Sequence, residues 1–470
     1  MTGEPTGDDL ASRVHPTRDD AVVAALSESV GGPMGDHAAA HRFWSPVRVL
    51  LLLTALCFAL GMVQKAPCAN SVWQNGTENY NNMCYSDLPP LYYGRGLSDG
   101  HWPYTDDPVV RGQFEVMEYP VGISYWAWAT AEVTRAVAGD DAARDVLTEA
   151  RLYTAVNAVG FALLALLATW FLAGVSPRRP WDAAGFAVAP TLALTALINW
   201  DLLAVTLVAA ALWAWARDRP VLTGVLIGLG TAAKLYPLFL LGGILVICLR
   251  RLRTRRAGES DPLLDLGAVA GSAAVAWAVA NAPAYLSGPA QWRVFWTFNS
   301  ERGADLGSIW LVLQQAFDHT MTTDVINAVS WIFFGAWCLG VLVLGLRAPA
   351  TPRLAQLGFL VVAGFLLVNK VYSPQYVLWL LPLAVLARPR WRDLLVWQAG
   401  EVVYFAAVWW YLGEYLAPAG GGDSGFYWLA ILLRLATQLY LVAVVVRDVV
   451  RPGRDPVRPP ARPVWSLSRS

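Results

Sequence analysis

The feature that most constrains this chain is a train of apolar runs separated by short arginine clusters, recurring from about Val49 to Val446. Lipid offers the backbone no hydrogen-bond partners, so such runs must satisfy their own peptide groups, and here they read as helices. They lie at 49–63, 152–175, 183–198, 202–216, 221–233, 235–249, 266–285, 325–346, 354–368, 376–386, 394–412 and 426–446. The pattern predicts an all-α polytopic membrane bundle of about 12 transmembrane helices, each near or below the roughly 20 residues of a full crossing. With 56% hydrophobic and only 15% charged residues, soluble, collagenous and disordered classes are excluded. The 35 basic and 35 acidic residues cancel, which leaves no electrostatic case for a nucleic-acid partner.

Orientation follows from the arginines. Arg178-Arg179, Arg217 with Arg219, Arg250 to Arg256, Arg347 with Arg353, Arg388 to Arg392, and Arg447 to Arg454 mark loops that stay in the cytoplasm. All six clusters fall on that side if 119–138 lies at the outer interface and does not cross, a berth that suits Tyr125, Trp126 and Trp128. Both termini are then cytoplasmic, in a multi-pass plasma-membrane protein. Residues 1–45 read as a disordered cytoplasmic tail, 46–448 as the membrane unit and 449–470 as a C-terminal cytoplasmic tail. The unit carries a large first outer loop, 64–149, with juxtamembrane helices, and a second outer segment, 284–324. Residues 221–249 must go out and back with arms too short to cross, and Lys234 sits at the tip, as in a broken pair beneath a water-filled cavity.

The chemistry-bearing residues concentrate in the outer segments. Asp87 follows the first span and is placed to serve as a general base, or equally to cap a helix opening at Leu88-Pro89-Pro90. Glu118 and Asp106 are the reserve carboxylates. Asp106, Asp107 and Glu118 offer a weak site for a divalent cation; no regular ligand spacing supports it, and no other cofactor is expected. Lys234, Arg302 and Lys370 share the outer face and together suit a phosphate. Tyr92, Trp102 and Tyr104 add aromatic rings at the membrane face, and Asn199, Tyr236, Ser373 and Gln375 are further candidate contacts. Asp201 reads equally as a cap for the next helix or as a substrate contact, and Glu401 with Arg434 as a buried ion pair. Cys68 and Cys84 lie where a disulfide is permitted.

An early aspartate in a long outer loop, Glu118-Tyr119-Pro120, Lys234-Leu-Tyr236-Pro237 and Lys370-Val-Tyr-Ser373-Pro374-Gln375-Tyr376, in that order, resemble glycosyltransferase family 87. The resemblance covers roughly 49–446. It implies a GT-C fold and an enzyme that takes a sugar, mannose first, from a polyprenyl-phosphate donor to a glycolipid or polysaccharide acceptor at the outer face. Asp87 would act as the base, Lys370, Arg302 and Lys234 would hold the donor phosphate, and Tyr92, Trp102 and Tyr104 would stack on sugar rings or line the acceptor groove. An arabinofuranosyltransferase is the nearest alternative, and a transporter or flippase of a lipid-linked or anionic substrate the alternative of another class. The arginine- and alanine-rich composition fits an actinobacterial host.

Overall fold

The computed structural model describes residues 20–30, 43–71, 73, 76–139, 145–255, 260–416 and 424–458. Among these residues the chain is helical and contains no strand. Five helices are long and apolar enough to cross a membrane: Pro46–Asn70, Val146–Val175, Pro262–Ser287, Thr323–Arg347 and Ser424–Val450. Leu202–Trp215, Pro220–Ala233, Leu354–Val368 and Pro374–Ala387 are shorter apolar helices. Length and composition therefore mark five spans where the apolar runs suggest about 12. The run at 183–198 breaks into Pro180–Ala183, Ala184–Ala187 and Pro190–Thr195. Pro190 lacks an amide hydrogen and restarts the helix at its own position.

Close backbone approach sets the packing around the short helices. On Pro220–Ala233, Gly224 and Gly228 lie four residues apart against the Pro262–Ser287 helix, where a Cβ would overlap the carbonyl oxygens of Val269 and Ala273. Small residues four apart let helices pack backbone to backbone in an apolar setting. Val121–Ala138 does form a helix, and it buries Val121, Ile123, Ser124, Ala127, Ala131 and Thr134 along one face.

The arginine-rich end of the bundle is laced by buried ion pairs. Arg388 meets Asp393 at 2.7 Å and Asp448 at 2.9 Å, and Arg353 meets Asp455 at 2.9 Å. Both tails reach this end. Ala21–Val30 is a helix, against the expectation of disorder there, and buried Asp20 accepts a hydrogen bond from the Trp391 amide at 3.0 Å. The C-terminal tail likewise starts as ordered chain, with Asp455 buried. Residues 1–19, 31–42 and 459–470 of the expected tails lie outside the described residues.

Replacing Gly228 by leucine is expected to force the two helices apart and destabilise the protein by about 1–3 kcal/mol, the usual cost of overpacking. Thermal unfolding in detergent, with Gly242→Leu as the control at a glycine with open space around it, measures the difference.

Candidate functional site

At the opposite end of the short helices a cavity of about 660 Å³ collects five of the charged residues singled out in the sequence. Asp87, Glu118, Asn199, Lys234, Arg302, Lys370, Ser373 and Gln375 all line it.

Lys234 sits where the Pro220–Ala233 helix stops. Its backbone is extended, and Pro237 lies in the turn that follows, Tyr236–Phe239. Its ammonium reaches Asp201 at 2.8 Å and lies 4.6 Å from the centroid of the Tyr119 ring. Both charged residues are buried, Lys234 at 7% and Asp201 at 1% exposure. Asp201 precedes the Leu202–Trp215 helix, yet its carboxylate makes no capping bond, so the cap expected from sequence is replaced by this ion pair. Asn199 accepts the Asp201 amide on Oδ1 while its Nδ2 has no partner.

Asp87 is pinned by its neighbours. Its amide donates to the Ile198 carbonyl at 2.7 Å, and the Ser86 hydroxyl donates to the Leu197 carbonyl at 2.8 Å. The Leu88–Gly94 helix begins next to it, but the carboxylate does not cap that helix. It accepts instead from the Tyr119 hydroxyl at 3.0 Å and from the Tyr85 hydroxyl. Burial pushes its carboxyl above the usual carboxylate range, opposed by those two hydrogen bonds and by the charge of Lys234. Glu118 is tied to Arg95 at 2.9 Å.

Lys370 and Arg302 converge on one helix end. The Lys370 ammonium donates to the carbonyls of Asn299 at 2.6 Å and Ser300 at 3.2 Å, at the close of the Pro289–Glu301 helix. Burial, and then the like charge of Arg302, push that ammonium down. Arg302 pairs with Asp305 at 2.5 Å. Backbone hydrogen bonds from Asp305 to Lys370 and from Tyr372 to Leu306, both 2.8 Å, zip the two segments together.

Several expected contacts stand elsewhere. Tyr92 is fully buried, donates to Glu149 at 2.8 Å and stacks on Tyr153. Trp102 donates to Ser287 and stacks on Tyr125, and Tyr104 hydrogen-bonds to Ser124. Tyr236 is buried against Trp379 at 4.8 Å. None of these four lines the cavity, nor does exposed Asp106. Asp107 caps the Pro108–Gln113 helix, and no three His, Cys, Asp or Glu side chains gather as metal ligands would among the described residues. Glu401 and Arg434 make no direct ion pair. Tyr372 stands between them, its hydroxyl on Glu401 at 3.0 Å and its ring 3.6 Å from the Arg434 guanidinium.

Sequence reasoning missed Tyr80, Tyr85 and Trp409, which line the cavity beside Asp87, and Lys65, whose ammonium donates to the Tyr85 carbonyl at 2.8 Å. Lys65 carried a signal, being one of only three lysines in the chain. Trp409 carried none, since an aromatic residue in an apolar run is ordinarily a packing residue. Cys68 and Cys84 form a disulfide, which staples the segment bearing the two tyrosines.

Residues 146–369, just under half of the chain, match the family model of glycosyltransferase family 87, and by that match the chain is a glycosyltransferase. No curated protein matches it. The matched stretch contributes Asn199, Lys234 and Arg302 to the cavity, whereas Asp87, Glu118, Lys370 and Trp409 lie outside it.

Because Lys234 and Asp201 are both buried, removing one leaves the other uncompensated. Lys234→Met is expected to cost about 3–5 kcal/mol, and Lys234→Met combined with Asp201→Leu to recover much of it. A double-mutant cycle by thermal unfolding checks this; equal losses from the single and double variants would show that the two charges do not depend on each other.

Proposed function

We propose that this membrane glycosyltransferase moves mannose from a polyprenyl-phosphate donor to a hydroxyl of a glycolipid or glycan acceptor at the outer face of the plasma membrane, with inversion. The observation that carries the reading is a single cavity holding a half-buried aspartate that caps no helix together with two neighbouring cations, Lys370 and Arg302. A base must accept a proton at the moment of attack, and a carboxylate raised by burial is more basic than a solvated one. The acceptor hydroxyl loses its proton to Asp87 as its oxygen bonds to the anomeric carbon. The bond from that carbon to the phosphate oxygen breaks, and polyprenyl phosphate departs with the electron pair. The leaving group is already a stable anion, so cations that hold it contribute to catalysis without a general acid. Lys370 and Arg302 repel one another, and an anion between them would relieve that repulsion. Lys234 is engaged by Asp201 and acts in this reading on Tyr119 and Asp87, with the phosphate left to the other two cations.

The apolar wall fits a lipid donor. Phe295, Phe298, Trp331 and Phe334 line the cavity from the Pro289–Glu301 and Thr323–Arg347 helices, and Trp331 and Phe298 are also exposed on the molecular surface.

Asp87→Asn is expected to lower transfer from polyprenyl-phosphate mannose by at least about 10²-fold, the lower range for a lost general base, with donor binding retained. An unchanged rate would sink the assignment of the base. Transfer from polyprenyl-phosphate arabinose alone would replace mannose as the sugar, and movement of a lipid-linked substrate without transfer would favour a flippase.

The pH dependence gives a second test. Asp87 works deprotonated, so kcat/KM falls as pH drops through its raised pKa. Tyr119→Phe removes a hydrogen bond that lowers that pKa, so the acid limb should move to higher pH. A limb that stays in place means that another group sets it.

A further inference from the structure

We infer that Tyr80, Tyr85 and Trp409 form the platform on which the acceptor's terminal sugar lies beside Asp87, and that the acceptor therefore ends in a pyranose ring with an apolar face. The inference rests on the reading of Asp87 as the base.

The geometry begins with the rings. Their centroids are 5.9 Å apart for Tyr80 and Tyr85, 6.1 Å for Tyr80 and Trp409, and 5.5 Å for Tyr85 and Trp409. Three nearly equal separations make a triangle, since a column would double one of them. The planes lie within 39° of one another and two of the three pairs are stacked, so the rings overlap in an offset cluster with roughly parallel faces. Tyr80 and Tyr85 are half-buried and offer part of their rings to the cavity, while Trp409, 2% exposed, backs them. A pyranose presents a patch of C–H groups on a ring face, meets an aromatic surface with that patch, and keeps its equatorial hydroxyls free at the edge. Tyr85 also hydrogen-bonds Asp87, so a ring on this surface would bring an edge hydroxyl toward the carboxylate.

A second observation is independent of the stacking. The Trp409 indole N–H and the Asn199 Nδ2 are buried, belong to residues lining the cavity and have no hydrogen-bond partner. A hydroxyl-rich ligand that reached these two donors would satisfy them.

The platform is also built to hold its shape. Lys65 bonds the Tyr85 carbonyl and lies 6.0 Å from the Trp409 ring centroid. Trp73 donates to the Cys84 carbonyl at 3.0 Å, Asn79 donates to the Trp73 carbonyl at 2.9 Å, and the Cys68–Cys84 disulfide closes the segment. A loop that merely linked two helices would need none of this. The donor, by contrast, has its own wall on the helices next to Lys370 and Arg302. That leaves the tyrosine and tryptophan surface for the acceptor.

The test uses the full chain in lipid nanodiscs with methyl α-D-mannopyranoside as probe and methyl α-D-arabinofuranoside as comparator. Without donor, saturation-transfer NMR should show contact to the ring C–H protons of the pyranoside, strongly reduced in Tyr80→Leu and Trp409→Leu and retained in Asp87→Asn. With donor present and the mannoside as acceptor, the two leucine variants should raise the acceptor KM by about tenfold, a typical loss for one aromatic contact, with donor KM unchanged. Trp409→Phe keeps a ring and the fold, and should fall between wild type and leucine. Reducing the disulfide, or Cys68→Ser with Cys84→Ser, should raise the acceptor KM as well. A rise in donor KM alone would place the donor's sugar on the platform and overturn the proposal. So would equal NMR contact from the furanoside, or unchanged acceptor KM and unchanged NMR contact in both leucine variants. If the leucine variants behave as expected while Asp87→Asn transfers normally, the platform stands and the base is elsewhere.

Discussion

The contact between Lys234 and Asp201 is the interaction on which the rest of the cavity depends. A lysine at the end of a broken helix, 7% exposed, needs a counter-charge, and Asp201 supplies it from the start of the preceding helix, Leu202–Trp215. The same ammonium lies over Tyr119, whose hydroxyl holds Asp87. One buried pair thus connects a helix break, a capping position that does not cap, and the carboxylate proposed as the base. The arrangement explains why Asp87 and Asp201, both at helix starts, spend their oxygens on side chains: each is claimed by a partner more strongly donating than a backbone amide.

The two ends of the bundle use charge differently. At the arginine-rich end, Arg388 bridges Asp393 and Asp448, which Arg392 and Arg447 also engage, in a connected set that ties the last two helices. At the cavity end the pairs are incomplete. Lys370 is satisfied only by carbonyls, Asp87 only by hydroxyls, and donors on Asn199 and Trp409 by nothing. A buried polar group without a partner is costly, and a ligand that supplies one relieves that cost. The family match stops at Asn369, so Tyr80, Tyr85 and Asp87 on one side of it, and Lys370 and Trp409 on the other, reach the cavity from stretches that it does not cover.

Much of this was legible in the sequence, for reasons that differ by residue. Lys234, Arg302 and Lys370 stood out because cations are costly beside apolar runs and must have a purpose there. Asp87 stood out by its place after the first span, though its neighbours Tyr85 and Tyr119 could be assigned only once the chain was folded. Tyr92, Trp102 and Tyr104 had the same local credentials as Tyr80 and Tyr85, and composition cannot say which aromatic residue faces a cavity and which braces a helix: Tyr92 found Glu149, fifty-seven residues on. Glu401 and Arg434 were matched by depth, but the intervening Tyr372 comes from a different segment and no pattern announces it. Span counting suffered from the same limit, since an apolar run reports burial in lipid or in protein alike, and 376–386 is a helix buried on all sides.

The fourteen residues of Pro220–Ala233 rise about 21 Å, against a hydrocarbon thickness of roughly 30 Å. If its arginine-bearing start lies at one membrane surface, Lys234 sits about 9 Å short of the other, below the level of the lipid headgroups. Bond exchange would then take place at a depth where water is scarce by default. On the proposed reading, an acceptor would have to lower its sugar into this well, and a lipid-borne phosphate would have to be drawn down from its natural plane. Reach, as much as recognition, would then decide which acceptors this protein can use.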